Sequence, residues 1–212
     1  MFRDNRRKYY RKKNKGFLSG FFEWIITFVI TIVISLLIVG NIGSITLVKG
    51  RSMEPTLWDN NRVMNYKLEY NFKEPKRGEI VIVDKDNDKK GIMINAINEG
   101  KSIINNIKQR LNKVEETRVK FIVKRIIGIP GDIIDIQDGL LYINDELQEE
   151  DYIKGQTFES SNFSYPIEIQ DNQVFVLGDN RENSSDSRDL GPIEYNQIIG
   201  RVKFRLWPMG KI

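Results

Sequence analysis

Three short stretches of the 212-residue chain hold residue types that chemistry needs. Gly50-Arg51-Ser52-Met53-Glu54-Pro55-Thr56-Leu57 places a hydroxyl, Ser52, before a Met-x-Pro turn. Phe121-Ile122-Val123-Lys124-Arg125-Ile126-Ile127-Gly128-Ile129-Pro130-Gly131-Asp132 places a lysine, Lys124, inside an apolar run. Residues 176–188, reading Val-Leu-Gly-Asp-Asn-Arg-Glu-Asn-Ser-Ser-Asp-Ser-Arg, crowd carboxylates, amides, hydroxyls and guanidinium groups into a loop that follows a β run. Each stretch alone has a bland reading: a turn serine, a solvent-facing strand lysine, a turn held by its own side chains. Alternation changes the second. It puts Lys124 on the strand face of Ile122 and Ile126, with Arg125 on the other. If that face is the core, burial lowers the free lysine pKa of ~10.4 by up to ~3–5. A lysine that is neutral near pH 7 can take a proton from a serine hydroxyl.

Composition narrows the alternatives. The chain has no histidine and no cysteine. A Ser-His-Asp triad, a His-ligated zinc, a thiolate metal site, a cysteine nucleophile and a disulfide are therefore all excluded. Any general base is Lys, Asp, Glu, Tyr or a terminal amine. The net charge of +4 is an N-terminal feature. Residues 1–16 carry Arg3, Arg6, Arg7, Lys8, Arg11, Lys12, Lys13 and Lys15 against Asp4, a net +7 that leaves −3 for the rest. A basic arm and not a basic domain surface is expected, which argues against a nucleic-acid partner.

The elements that must position these stretches begin with an anchor. No charged residue occurs from Trp24 to Val48. Residues 20–43 supply the roughly 20–24 residues that cross a ~30 Å hydrocarbon core as one helix. A cleaved signal peptide has a shorter apolar stretch of ~7–15 residues. By the positive-inside rule, residues 1–19 form a cytoplasmic arm, 20–43 a transmembrane anchor and 44–212 an extracytoplasmic domain. Ser52 follows the anchor by about 8–10 residues, a reach of about 30 Å even when extended.

Beyond the anchor, short β runs are predicted at 44–48, 62–66, 79–83, 119–127, 133–136, 140–143, 173–177 and 198–206, several alternating apolar with polar. Asp138-Gly139 marks a hairpin turn, and Pro130-Gly131-Asp132 another turn. The expected fold is mainly β: a membrane helix followed by a coiled antiparallel sheet or open barrel. Residues 85–118 are polar, with Ile103, Ile107, Leu111 and Val114 at helical spacing, and read as a partly helical surface insertion.

In this order after a membrane helix, the three stretches resemble the sequence boxes of the type I signal peptidases, serine proteases that use a Ser/Lys pair. The resemblance covers the anchor and the outer domain except the insertion. It implies Ser52 as nucleophile, Lys124 as general base, Ser184 as the hydroxyl that orients the lysine, and Asp186 with Arg188 as a supporting ion pair. Met53 and Pro55 match positions that shape the nucleophile turn, and Gly178, Asp179 and Asn180 the structural start of the third box. It further implies no cofactor and no metal, cleavage after small-x-small sequences, and preprotein signal peptides and the phospholipid membrane as partners. The protein translocation machinery is a further candidate partner. Some members carry an oxyanion-binding serine where this chain has Gly50, so the donor beyond the Ser52 N–H stays open. The competing readings are a peptidase dedicated to one secretion or pilus system, a self-cleaving repressor-type protein, and a non-catalytic membrane assembly protein.

Overall fold

The computed structural model describes residues 17–41, 43–85 and 121–211. The basic arm up to residue 16 and nearly all of the expected 85–118 insertion lie outside the described residues.

Helix α1 spans Phe17–Asn41. Its 25 residues rise about 37 Å at ~1.5 Å each. Gly20–Ile38 is long and apolar enough to cross a membrane. Its described side chains, Phe21, Phe22, Trp24 and Phe28 among them, stand exposed. Thr27 and Thr31 donate their hydroxyls to the carbonyls of Glu23 and Thr27, at 2.9 and 2.8 Å, so these polar groups are satisfied within the helix. Strand β1 begins at Gly43, so the helix ends slightly before the expected limit of the anchor.

The remaining chain, assigned with Leu36 onward to a separate compact unit, holds twelve strands among its described residues. They are β1 (Gly43–Leu47), β2 (Arg62–Tyr66), β3 (Ile80–Asp84), β4 (Phe121–Gly128), β5 (Ile133–Gln137), β6 (Leu140–Ile143), β7 (Glu146–Leu147), β8 (Ile167–Glu168), β9 (Gln173–Leu177), β10 (Ile193–Glu194), β11 (Ile198–Trp207) and β12 (Gly210–Lys211). All pair antiparallel. One sheet runs β1-β2-β11-β3-β4-β9-β10, with β12 on β11; a second runs β7-β6-β5-β8. Register shifts in β11 and in the β4–β9 ladder are bulges of the kind that bend and coil a sheet. The expectation of one coiled sheet therefore becomes a large coiled sheet plus a small second one. The four two-residue strands are too short to leave a periodic signature. The Asp138-Gly139 turn has both φ values positive, 51° and 81°, the type I′ geometry that Asp-Gly favours.

Three apolar clusters hold these strands. Ile127, Ile134, Ile136, Leu141, Ile143, Phe175 and Leu177 join the small sheet to the large one. Met53 and Leu57 pack with Val48, Val63, Ile80, Ile82 and Val202, which seats the Ser52 turn on the large sheet. Val81, Val83, Ile126, Val174 and Val176, flanked by Ile122, form the third. Ile122 and Ile126 share the strand face of Lys124, so that face is core.

Candidate active site

The Ser52 turn is local geometry fixed from below. Leu57 N–H donates to Met53 O at 2.8 Å and Glu54 N–H to Arg51 O at 3.2 Å. Met53 and Leu57 are buried, so the turn is pinned by its own apolar residues and Ser52 is left half-exposed above them. Gly50 has φ +89°, a conformation an L side chain adopts only under strain. Its N–H donates to Asp59 Oδ1 at 2.8 Å and is therefore committed, while the space an added Cβ would occupy is empty. No described residue accepts from the Ser52 N–H.

Lys124 lies in the middle of β4, opposite Val81 of β3, and is 2% exposed. Its Nζ is 2.8 Å from Ser52 Oγ, within reach for proton transfer. No described carboxylate forms an ion pair with it. Burial lowers its pKa to about 8, because the low-dielectric surroundings disfavour the charged form. Lys85 and Arg188 push the same way, and the charges of Asp186 and Asp179 oppose. At pH 7 roughly a tenth of such a lysine is neutral.

The third stretch is a scaffold of paired charges. Asp186 caps the short helix α2, Ser187–Leu190, and holds Arg188 through both carboxylate oxygens at 2.9 and 3.0 Å. Asp186 Oδ2 also accepts the Gly178 N–H at 2.9 Å, and Ser187 Oγ accepts the Val176 N–H at 2.9 Å. Arg188 Nη2 donates on to Arg181 O at 2.6 Å. Gly178 sits where only glycine fits: a Cβ there would lie 2.5 Å from Ser52 O and closer still to Ser184 Oγ. Asn180 then ties this loop to the Ser52 turn, its N–H on Ser52 O at 3.0 Å and its Nδ2 on Arg51 O at 3.0 Å.

Of the sequence-predicted residues, Ser52 and Lys124 are hydrogen-bonded, Asp186 and Arg188 are paired, and Met53 lies beneath the turn. Ser184 departs from the expectation. Its Oγ is buried with no hydrogen-bond partner, beside Gly178 and not on Lys124, because it follows the 3-10 turn Arg181–Asn183 in extended backbone. A cavity of about 390 Å³ opens beside it, bounded by Gln156, Phe158, Glu182 and Arg188; neither Ser52 nor Lys124 lines it.

Several pairings of the scaffold carried no sequence signal, although some of their members lie in the three stretches. Arg125 pairs with the fully buried Asp179 through both oxygens, at 2.9 and 2.7 Å, and stacks on the Tyr152 ring at 4.0 Å. Arg181, 2% exposed, holds Glu150 at 2.8 and 2.6 Å and donates Nε to Gly178 O at 3.1 Å. Alternation placed Arg125 opposite Lys124, but nothing in the sequence named its partner.

The family described as signal peptidase, peptidase S26, matches residues 21–207. The signal peptidase I of Bacillus licheniformis is 32% identical over 202 residues, 92% of each chain. The signal peptidase I T of Bacillus subtilis (strain 168) is 31% identical over 200 residues, 91% of this chain and 88% of that one. The chloroplastic thylakoidal processing peptidase 1 of Arabidopsis thaliana is 34% identical over 166 residues, 78% of this chain and 42% of its own.

Proposed function

The chain belongs to the signal peptidase family, peptidase S26, and is a serine endopeptidase; we propose that it is membrane-bound and removes signal peptides from exported preproteins by a Ser52/Lys124 mechanism. The observation that carries this reading is the buried Lys124 Nζ at 2.8 Å from Ser52 Oγ. Neutral Lys124 takes the hydroxyl proton as Ser52 Oγ attacks the scissile carbonyl. The oxyanion that forms is stabilised by the free Ser52 N–H. The Lys124 ammonium then gives its proton to the departing amine, leaving the acyl group as an ester on Ser52. Lys124 next deprotonates a water that attacks this ester, and the proton returns to Ser52 Oγ as the signal peptide leaves. Asp186 and Arg188 support the site through Gly178, and Met53 through the floor of the turn. Small residues at the first and third positions before the cut are the expected preference.

Helix α1 serves as the anchor, with the basic arm in the cytoplasm and residues 44–212 outside. Its apolar exposed surface supports this reading. The cysteine-free chain makes the orientation testable. A single cysteine at the exposed Asp171 is expected to react with an impermeant maleimide applied from outside, and one at Lys13 only after the membrane is opened. The decisive test of the chemistry is preprotein cleavage in detergent by wild type, Ser52→Ala and Lys124→Ala. Release of mature protein by wild type alone is expected; full activity of Lys124→Ala would overturn the base assignment.

A further inference from the structure

Resting on the reading of Ser52 as nucleophile, we infer that Glu54 is a positioning residue for the reaction, its carboxylate bracing the Ser52 turn against the segment that carries Lys154. Met53 and Leu57 set the depth of the turn, and Asn180 fixes the carbonyls of Arg51 and Ser52. Thr56 Oγ1 donates to Asp179 Oδ2 at 2.5 Å. Glu54 adds a second polar tie from the stretch that follows Ser52. It is 2% exposed, and its Oε1 accepts Arg51 Nε at 2.8 Å. Its Oε2 accepts Lys154 Nζ at 3.1 Å and Arg51 Nη2 at 3.3 Å. Lys154 is bound in turn to the third-stretch loop through its main chain. Its N–H donates to Asp179 O at 2.8 Å, and its carbonyl accepts from Arg181 N–H at 2.9 Å. One carboxylate thus closes a ring from the nucleophile turn to Lys154, to residues 179–181, and back through Asn180 to Ser52.

A stability role alone does not account for this arrangement. The Arg51 and Lys154 side chains are 62% and 52% exposed, and pairing with exposed cations contributes little. Burying a carboxylate, by contrast, is costly. Arg51, followed by Lys154, holds Glu54 below the usual carboxylate range, so the brace keeps its charge at neutral pH. What the ring does supply is a fixed position for Ser52 Oγ relative to Lys124 Nζ, and an error of about 1 Å there costs on the order of a hundredfold in rate.

The test is preprotein cleavage by the full chain in detergent for wild type, K154M, E54Q, the E54Q/K154M double variant and S52A, with kcat, KM, the pH profile and Tm measured for each. K154M is the deciding variant, because its main-chain bonds to Asp179 and Arg181 survive the substitution even if E54Q fails to fold. In E54Q, the amide keeps one acceptor but turns its NH2 toward a cation. The expected result is a kcat lowered by about tenfold or more in K154M and E54Q. KM and Tm stay near wild type, the pH midpoint of kcat stays put, and the double variant is no slower than E54Q. A K154M at wild-type kcat overturns the inference. So does a loss expressed in KM, a loss that moves the pH midpoint, or losses that multiply in the double variant. S52A separates the two readings. Cleavage by S52A removes the nucleophile assignment itself, whereas an inert S52A beside a fully active K154M removes only the brace.

Discussion

Lys124 and Arg188 are both buried cations, at 2% and 7% exposure, and the fold treats them in opposite ways. Arg188 receives both oxygens of Asp186 and the carbonyls of Arg181, Phe158 and Ser184. Among the described residues, Lys124 has a single hydrogen-bond partner, the Ser52 hydroxyl. Burial works against both charges. For Arg188 it is outweighed by the hydrogen bonds and charge of Asp186, and its pKa rises. For Lys124 nothing outweighs it, and its pKa falls to about 8. The buried cation with a raised pKa is given a counterion, and the one with a lowered pKa has none among the described residues. The two are linked, because Asp186 acts on Lys124 to raise its pKa and Arg188 acts to lower it. Pairing Asp186 with Arg188 therefore orders the loop and also offsets the upward pull of the carboxylate on the Lys124 pKa.

The contrast is broken most severely by giving the Lys124 site a cation that cannot let go. Lys124→Arg is expected to lose about 10²–10⁴-fold in kcat, the usual contribution of a general base, while circular dichroism shows a folded domain. Breaking the other side comes next. Arg188→Met leaves Asp186 buried and unpaired, at an expected cost of about 3–5 kcal/mol in denaturant unfolding. In whatever folded fraction remains, the acid limb of kcat moves to higher pH, since an uncompensated Asp186 raises the Lys124 pKa. A limb that moves to lower pH would contradict the link between the two sites.

A smaller effect has the opposite sign. The folded lysine titrates near 8 and the unfolded one at ~10.4. Below pH 8 both states hold the proton, and the folded state bears the full cost of a buried charge. Between these values the folded state has shed its proton and stability climbs. Above both values lysine is neutral in either state and the cost is gone. Lys124→Met is therefore expected to stabilise the protein by about 3 kcal/mol at pH 7, with the gain fading toward pH 11; thermal melts across that range check it. Wild-type kcat/KM should climb through a midpoint near 8, because it reports the base of the free enzyme. The smallest change is expected from Ser184→Ala. Its Oγ makes no hydrogen bond to Lys124, so kcat should fall by less than about tenfold, below the usual contribution of a proton-transfer group. A larger fall, with a shifted pH midpoint, would restore Ser184 as the residue that orients the base.

The sequence by itself determined much of this protein. The apolar run within residues 20–43 specifies a helix that needs an apolar environment. Alternation specified β2, β6 and β9 with the same limits the structure shows, and it put Lys124 on the strand face of Ile122 and Ile126. These properties are local, and period encodes them. The Asp186–Arg188 pair came from the resemblance of the third stretch to the type I signal peptidases, and not from spacing. Tertiary structure decided the rest. Arg125 meets Asp179 across 54 positions, Arg181 meets Glu150 across 31, and Glu54 meets Lys154 across 100, and no periodic pattern relates such distant residues. The direction of the Ser184 hydroxyl, the commitment of the Gly50 N–H to Asp59, and the splitting of the strands into two sheets are likewise outcomes of packing. The sequence could say that a serine and a lysine of the right kinds were present. Only the folded chain could bring them to 2.8 Å and withhold a counterion from the lysine, because both depend on what the rest of the chain leaves out of that space.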